Sequence, residues 1–203
     1  MWQESLLDID QEPTLGDLGS AHRVRLARGA WVEHLPGWVR GSDRLFEILA
    51  REVPWRGERR PMYDRMVDVP RLLAFYDGDL PHPLLEQARR ALSARYEPEL
   101  GEPLTTAGLC LYRDGRDSVA WHGDTIGRGA LVDTVVAIVS LGAPRTFALR
   151  PRGGGASLRL PVGHGDLLVM GGSAQRTWEH AVPKTARPVG PRISIQLRPA
   201  GVR

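Results

Sequence analysis

The chain has one cysteine, one lysine and no long apolar run. With Cys110 alone, neither an internal disulfide nor a cysteine-based zinc site can form. Lys184 is the sole lysine among 27 basic residues, so the net charge of +3 rests almost wholly on arginine. Arginine forks suit phosphates and carboxylates, which makes a polyanionic partner one reading. An arginine bias in coding composition is the other, at even weight on charge alone. The longest apolar stretch, near residues 130–141, is broken by Asp133 and is too short to span a bilayer. The first residues, Met1-Trp2-Gln3-Glu4-Ser5, lack the basic start and apolar core of a secretory signal. No internal repeat or low-complexity tract occurs. These absences lead us to expect a cytoplasmic protein, a monomer, with no membrane partner.

At 203 residues the chain fits one compact domain. Its 23 glycines and 16 prolines are scattered, which favours short strands and turns over a helical bundle. Residues 1–53 read as an N-terminal extension with a strand at Ala30–Leu35. A helix follows, N-capped by Ser42, with Leu45, Phe46, Leu49 and Ala50 on one face. Residues 54–104 read as an extended, loop-rich lid and a supporting helix. Pro81 and Pro83 open that helix, and Leu84, Leu85, Ala88, Leu92 and Tyr96 recur at helical spacing. Across residues 105–203, eight short β-rich pieces alternate with turn signals such as Gly153-Gly154-Gly155. The expected fold is mainly β (α+β): a double-stranded β-helix, or jelly roll, with N-terminal helices packed against it.

Two H-x-D triplets occur, His122-Gly123-Asp124 and His164-Gly165-Asp166. One triplet alone arises readily by chance. The second precedes the apolar run Leu167–Met170 and reads as a turn feeding a buried strand, with Asp166 satisfying backbone donors. The first ends a strand, where alternate side chains share a side. With the distant His180 it supplies two imidazoles and a carboxylate. That is the ligand set of an iron site with positions open for a bidentate 2-oxo acid and for O2. Arg192 and Arg198 lie six apart, on one side of a strand. Two same-facing guanidiniums suit carboxylates, and Tyr112 adds a hydroxyl donor. Read singly, His180 is as readily a core histidine, and the arginines a solvated strand face. Their joint order and spacing favour an oxygenase using Fe(II), 2-oxoglutarate and O2.

Four stretches resemble the AlkB family of Fe(II)- and 2-oxoglutarate-dependent dioxygenases, which repair alkylated nucleic acids. They are Tyr112-Arg113-Asp114-Gly115, His122-Gly123-Asp124, Gly163-His164-Gly165-Asp166 with its following strand, and Arg192 through Arg198. The resemblance covers about residues 54–199. It implies that His122, Asp124 and His180 bind iron as the catalytic centre, and that Tyr112, Arg192 and Arg198 hold 2-oxoglutarate. Pro70-Arg71, followed by Tyr76-Asp77-Gly78-Asp79, resembles the family's nucleotide-recognition lid. Three positions depart from the family. Cys110 stands where the co-substrate-contacting asparagine is usual, and Ser194 replaces the asparagine between the two arginines. Ile126 stands where several members carry an acid near the target base. A thiol and a short hydroxyl are poorer donors than an amide, so the first two changes are expected to weaken 2-oxoglutarate binding.

The resemblance also implies oxidative demethylation of N-alkylated bases in DNA or RNA, of the 1-methyladenine or 3-methylcytosine type. Formaldehyde, succinate and CO2 are the products. A base inside a duplex cannot reach a buried iron, so the substrate is single-stranded or flipped. Trp55, Tyr63 and Tyr76 are the candidate stacking partners, with His122 as the opposite wall. The run Arg56–Arg60, with Arg65, Arg71, Arg150 and Arg152, is the candidate phosphate track. Each aromatic, taken singly, is more often a core residue. Two other readings stay open. One is an oxygenase of a protein or small molecule, which needs the same iron site but no basic lid. The other is a non-catalytic jelly-roll binding module, which retention of all three metal ligands disfavours. The tighter histidine cluster with nearby glutamate of a cupin is absent.

Overall fold

The computed structural model describes residues 11–62, 65–125 and 127–202. Strands β1 (Thr14–Leu15), β2 (His22–Arg25), β3 (Ala30–Leu35) and β4 (Val39–Arg40) precede helix α1 (Ser42–Glu52). A hairpin of β5 (Arg56–Met62) and β6 (Arg65–Asp77) leads into helix α2 (Pro83–Leu100). Then follow β7 (Thr106–Tyr112), β8 (Val119–His122), β9 (Val136–Gly142), β10 (Arg145–Pro151), β11 (Leu158–Val162) and β12 (Asp166–Gly172). The short helix α3 (Ala174–Thr177), β13 (Trp178–Val182) and β14 (Arg192–Arg198) complete the order. No helix among the described residues is long and apolar enough to cross a membrane.

Two antiparallel sheets face each other, as the jelly-roll expectation requires. The larger has eight strands in the order β2-β3-β12-β9-β14-β7-β6-β5, and the smaller has four, β11-β10-β13-β8. Period-two alternation in the large sheet separates two chemistries. On β14, Ile193, Ile195 and Leu197 are fully buried against the layer of α1 and α2, where Leu45, Leu49, Leu85 and Leu92 meet them. Each such side chain stabilises the fold by about 1.5–3 kcal/mol. The intervening residues, Arg192, Ser194, Gln196 and Arg198, therefore face the small sheet. A second apolar cluster joins the two sheets there, with Val136, Ile138 and Leu168 against Phe147, Leu149, Trp178 and Val182.

Two expectations are corrected. Ser42 is the first helical residue of α1 and makes no cap. The N-cap is Gly41, at φ 61°, where a Cβ would lie 2.7 Å from the Gln11 carbonyl oxygen. The loop-rich lid across residues 54–80 is instead mostly the β5–β6 hairpin, which extends the large sheet through β6 and β7. Pro70 hides this strand in the sequence because it cannot donate to a ladder. It lies where the β5–β6 register shifts, between the pairs Gly57–Leu72 and Arg59–Asp68, so that donor is not missed. The second helix is as expected, with His82 Nδ1 accepting from the Leu84 amide at 3.1 Å ahead of Pro83.

Candidate metal centre and co-substrate pocket

Strands β8 and β13 pair with His122 directly opposite His180. The two rings face the large sheet with centroids 4.2 Å apart. Beyond β8 the chain carries Asp124 back to the same side. One ligand atom from each of His122, Asp124 and His180 lies within 4.8 Å of the others. His122 Nδ1 is 2.9 Å from the Ala120 oxygen and 3.1 Å from the His180 oxygen. Carbonyls only accept, so Nδ1 carries a hydrogen, and Nε2 is the ring nitrogen turned to the carboxylate, 3.8 Å from Asp124 Oδ1. Burial, with His122 alongside, lowers the His180 pKa to about 3, so this imidazole is neutral at ordinary pH. Burial alone would raise the Asp124 pKa; Arg198 and the two histidines overcome it and hold the carboxyl near 2. Two imidazoles and an ionised carboxylate on one side of a cleft are the donor set of a facial iron site.

Asp124 is held from two sides. Arg198 Nε donates to its Oδ2 at 2.7 Å, which leaves Oδ1 towards His122. Its amide donates to Gln175 Oε1 at 2.9 Å, from helix α3. Glycine is required between the ligands, since a Cβ at Gly123 would lie 2.6 Å from the Gln175 oxygen. Gln175 went unnoticed in the sequence. Its position three residues before Trp178-Glu179-His180 carries no local signal, and only the fold brings it to Asp124.

The register of β6, β7 and β14 arranges the inner face in four levels. Tyr112 pairs with Arg192, Cys110 with Ser194, Gly108 with Gln196, and Thr106 with Arg198. From β6, Leu73 joins Cys110, Phe75 joins Gly108, and Asp77 joins Thr106. One step past the Leu72–Leu111 pair, the same register sets Arg71 opposite Tyr112. Cations thus stand at both ends, with small or apolar groups between. A Cβ at Gly108 would lie 2.8 Å from Arg198 Nη1 and 3.2 Å from Gln196 Oε1, so the bare glycine gives those side chains their room. At the far end Arg192, 1% exposed, donates through Nε to Ser140 Oγ at 2.9 Å, while its buried Nη1 has no partner. Burial pushes the Tyr112 pKa up to about 12 and keeps its hydroxyl a donor. A buried guanidinium N–H without a partner, beside a phenol, suits a carboxylate, and it fits the distal end of a 2-oxo diacid.

The two departures from the family pattern meet at one point. Gln196 Nε2 donates to Ser194 Oγ at 2.6 Å and to the Ser194 oxygen at 3.0 Å, and Cys110 Sγ lies 3.7 Å from Gln196 Oε1. A carboxamide therefore occupies this wall even though neither Cys110 nor Ser194 supplies one.

The expected substrate residues scatter. Trp55 donates its indole N–H to the Ala50 oxygen at 3.2 Å and packs on the helix-side core. Tyr76 pairs with Ala107 and packs on that same core. Both thus sit on the wrong face of the large sheet. Tyr63 and Ile126 lie outside the described residues. Arg150 pairs with Glu179 at 2.9 Å and lies 4.3 Å from the Trp121 ring, on the outward face of the small sheet, because its neighbour Leu149 takes the inward position opposite His180. Arg152 is at the rim, donating to the Arg176 and Gln175 oxygens at 3.1 and 3.4 Å. Arg71 faces inward. Among the described hairpin residues, the aromatic that reaches the inner face is Phe75, 48% exposed. Read as a strand, residues 71–77 would have pointed to it by alternation.

An antiparallel jelly roll carrying a His-Asp-His site and a buried guanidinium beside a phenol is the build of a non-haem iron oxygenase. The chain belongs to the 2OG-Fe(II) oxygenase superfamily, which it matches over residues 75–198. The family's working parts are Fe(II), 2-oxoglutarate and O2. Among named relatives, human alpha-ketoglutarate-dependent dioxygenase alkB homolog 3 is 33% identical, covering 80% of this chain and 64% of its own length. The chain thus spans less than two thirds of that relative. Human DNA oxidative demethylase ALKBH2 is 28% identical, covering 77% of this chain and 68% of its own. The solved structure of OsALKBH1 shares the fold at a TM-score of 0.56 and 12% identity, covering 88% of this chain and 100% of that one.

Proposed function

We propose that this protein oxidatively demethylates N-alkylated bases, of the 1-methyladenine or 3-methylcytosine type, in single-stranded or flipped nucleic acid. When bound, the metal and 2-oxoglutarate supply the oxidising power, consuming O2 and releasing succinate and CO2. His122, Asp124 and His180 hold the metal. Arg198 fixes the second oxygen of Asp124, and Arg192 with Tyr112 takes the distal carboxylate. The observation that carries the substrate reading is Phe75, exposed on the metal-site face of a hairpin that also bears Arg56 and Arg59. Phe75 offers an apolar face for an extruded base, and it takes the stacking role expected of Trp55 and Tyr76. The hydroxylated methyl leaves as formaldehyde and the base is restored. The names of the two human relatives support this reading.

The test is anaerobic reconstitution with Fe(II) and 2-oxoglutarate, then O2 and a single-stranded oligonucleotide carrying 1-methyladenine or 3-methylcytosine. Mass spectrometry should show loss of one methyl with matching succinate, abolished in His122→Ala. Succinate without demethylation would keep the oxygenase and move the substrate to a protein or small molecule. Phe75→Ala should raise KM for the oligonucleotide by roughly 5- to 100-fold, the loss of one base–aromatic stack.

A further inference from the structure

Two guanidiniums flank Tyr112 on the inner face, Arg192 on β14 and Arg71 on β6. At ordinary strand spacing their Cα atoms are about 10 Å apart, with the phenol between them. Each is half satisfied. Arg71 Nη1 donates to the Ser118 oxygen at 3.1 Å, while its Nε is buried without a partner. Arg192 is the mirror case, bonded through Nε and unpartnered at Nη1. A third cation, Arg145, sits 5.7 Å from the Tyr112 ring, but the carbonyls of Asp114, Asp117 and Pro183 satisfy it. The carboxylates of Asp114 and Asp117 are engaged by Arg116 and Arg113. Among the described residues, no acceptor meets the two open N–H groups. Buried donors left so are costly, and two like charges across one ring repel. One anion with two oxygens relieves both.

We infer that Arg71 binds the distal carboxylate of 2-oxoglutarate together with Arg192, one oxygen on Arg71 Nε and the other on Arg192 Nη1. The inference rests on the co-substrate reading of the Tyr112–Arg192 pocket. It removes Arg71 from the phosphate track, which its inward-facing guanidinium cannot serve. It also gives the hairpin a link to the metal site. The Ser118 amide donates to the Pro70 oxygen at 2.8 Å, so β6 already grips the start of β8, four residues before His122. A carboxylate bridging Arg71 and Arg192 ties β6, β14 and β8 together. The recognition hairpin is thus steadied when 2-oxoglutarate binds.

The experiment uses the Mn(II)-loaded protein, which binds without turnover. It titrates 2-oxoglutarate and, separately, 2-oxobutyrate, which keeps the 2-oxo acid end but lacks the distal carboxylate. Arg71→Ala should weaken 2-oxoglutarate by roughly 10- to 100-fold, the loss of one charged hydrogen bond, and leave 2-oxobutyrate unchanged. Arg71→Lys should recover part of the loss and guards against a folding defect in the alanine variant. Equal weakening of both acids would show a merely structural role and overturn the inference. So would unchanged 2-oxoglutarate affinity with weaker oligonucleotide binding and a flatter salt response. Wild type and Arg192→Ala separate the two levels of claim. If wild type fails to bind 2-oxoglutarate, or Arg192→Ala binds it as well as wild type, the pocket reading itself fails. If both behave as expected and Arg71→Ala does not, only the role of Arg71 is lost.

Discussion

His122-Gly123-Asp124 and His164-Gly165-Asp166 have the same three residues and opposite uses. In the first, the chain past β8 returns Asp124 to the side of His122, and both converge with His180. In the second, Gly165 sits at φ 77° and turns the chain left-handed. The side chains diverge. His164 accepts from the Gly142 amide at 2.6 Å and lies 3.0 Å from Asp43, at the start of α1. Asp166 accepts from the Gly163 and Gly37 amides at 2.7 and 2.9 Å and pairs with His34 at 2.9 Å. One triplet gathers ligands, and the other ties a turn to β3 and β4. The backbone angle of the middle glycine separates them, and composition does not record it.

The comparison breaks most sharply at the carboxylates. Asp124→Ala should abolish Mn(II) binding and turnover, because it removes a ligand and leaves Arg198 without its partner. Asp166→Ala should bind Mn(II) as wild type does at temperatures where it stays folded. Calorimetric titration of the metal reads both. Metal loss in Asp166→Ala alone would reverse the assignment of the two triplets.

The glycines sharpen it. Gly123→Ala meets the Gln175 oxygen at 2.6 Å and displaces Asp124, so metal affinity should fall by roughly 10- to 100-fold, as when a supporting contact is lost. Gly165→Ala meets the Val39 oxygen at 2.5 Å in a left-handed position. It should cost about 1–3 kcal/mol of stability with little change in metal affinity. Chemical denaturation and metal titration on each variant would separate the two effects.

The same contrast explains what the sequence made legible. Short β-rich pieces between turn signals, clear alternation along β14 and the periodicity of α2 made the jelly roll and its covering helix readable. The candidate metal ligands stand out because two share a triplet, and the fold brings the distant His180 to them. Phe75 was missed because Pro70 disguised β6 as loop, and without a strand there is no alternation to apply. Tyr76, next to it, is the aromatic the sequence offers for stacking, and it lies on the helix side. Arg150 shows the converse error, a cation chosen for charge in a strand whose register turns it outward to Glu179. Gln175 and Gln196 are out of reach of any linear reading, since each matters only through a residue brought to it by the fold.

The smallest expected effect lies in the pH dependence of the second triplet. Burial opposes the charge of Asp166, but His34 and the backbone of Gly163 and Gly37 outweigh it and hold its pKa below the ordinary aspartate value. A carboxylate whose folded pKa is depressed adds stability above its unfolded pKa of about 3.9, and that increment is lost as pH falls through the lower folded value. Asp166→Asn removes the increment at every pH. The variant should therefore be less stable than wild type by about 1–3 kcal/mol at neutral pH, and the gap should close below about pH 4. Denaturation midpoints from pH 3 to 7 would measure the gap. A constant gap across that range would mean that shape, and not charge, is what Asp166 contributes to the turn.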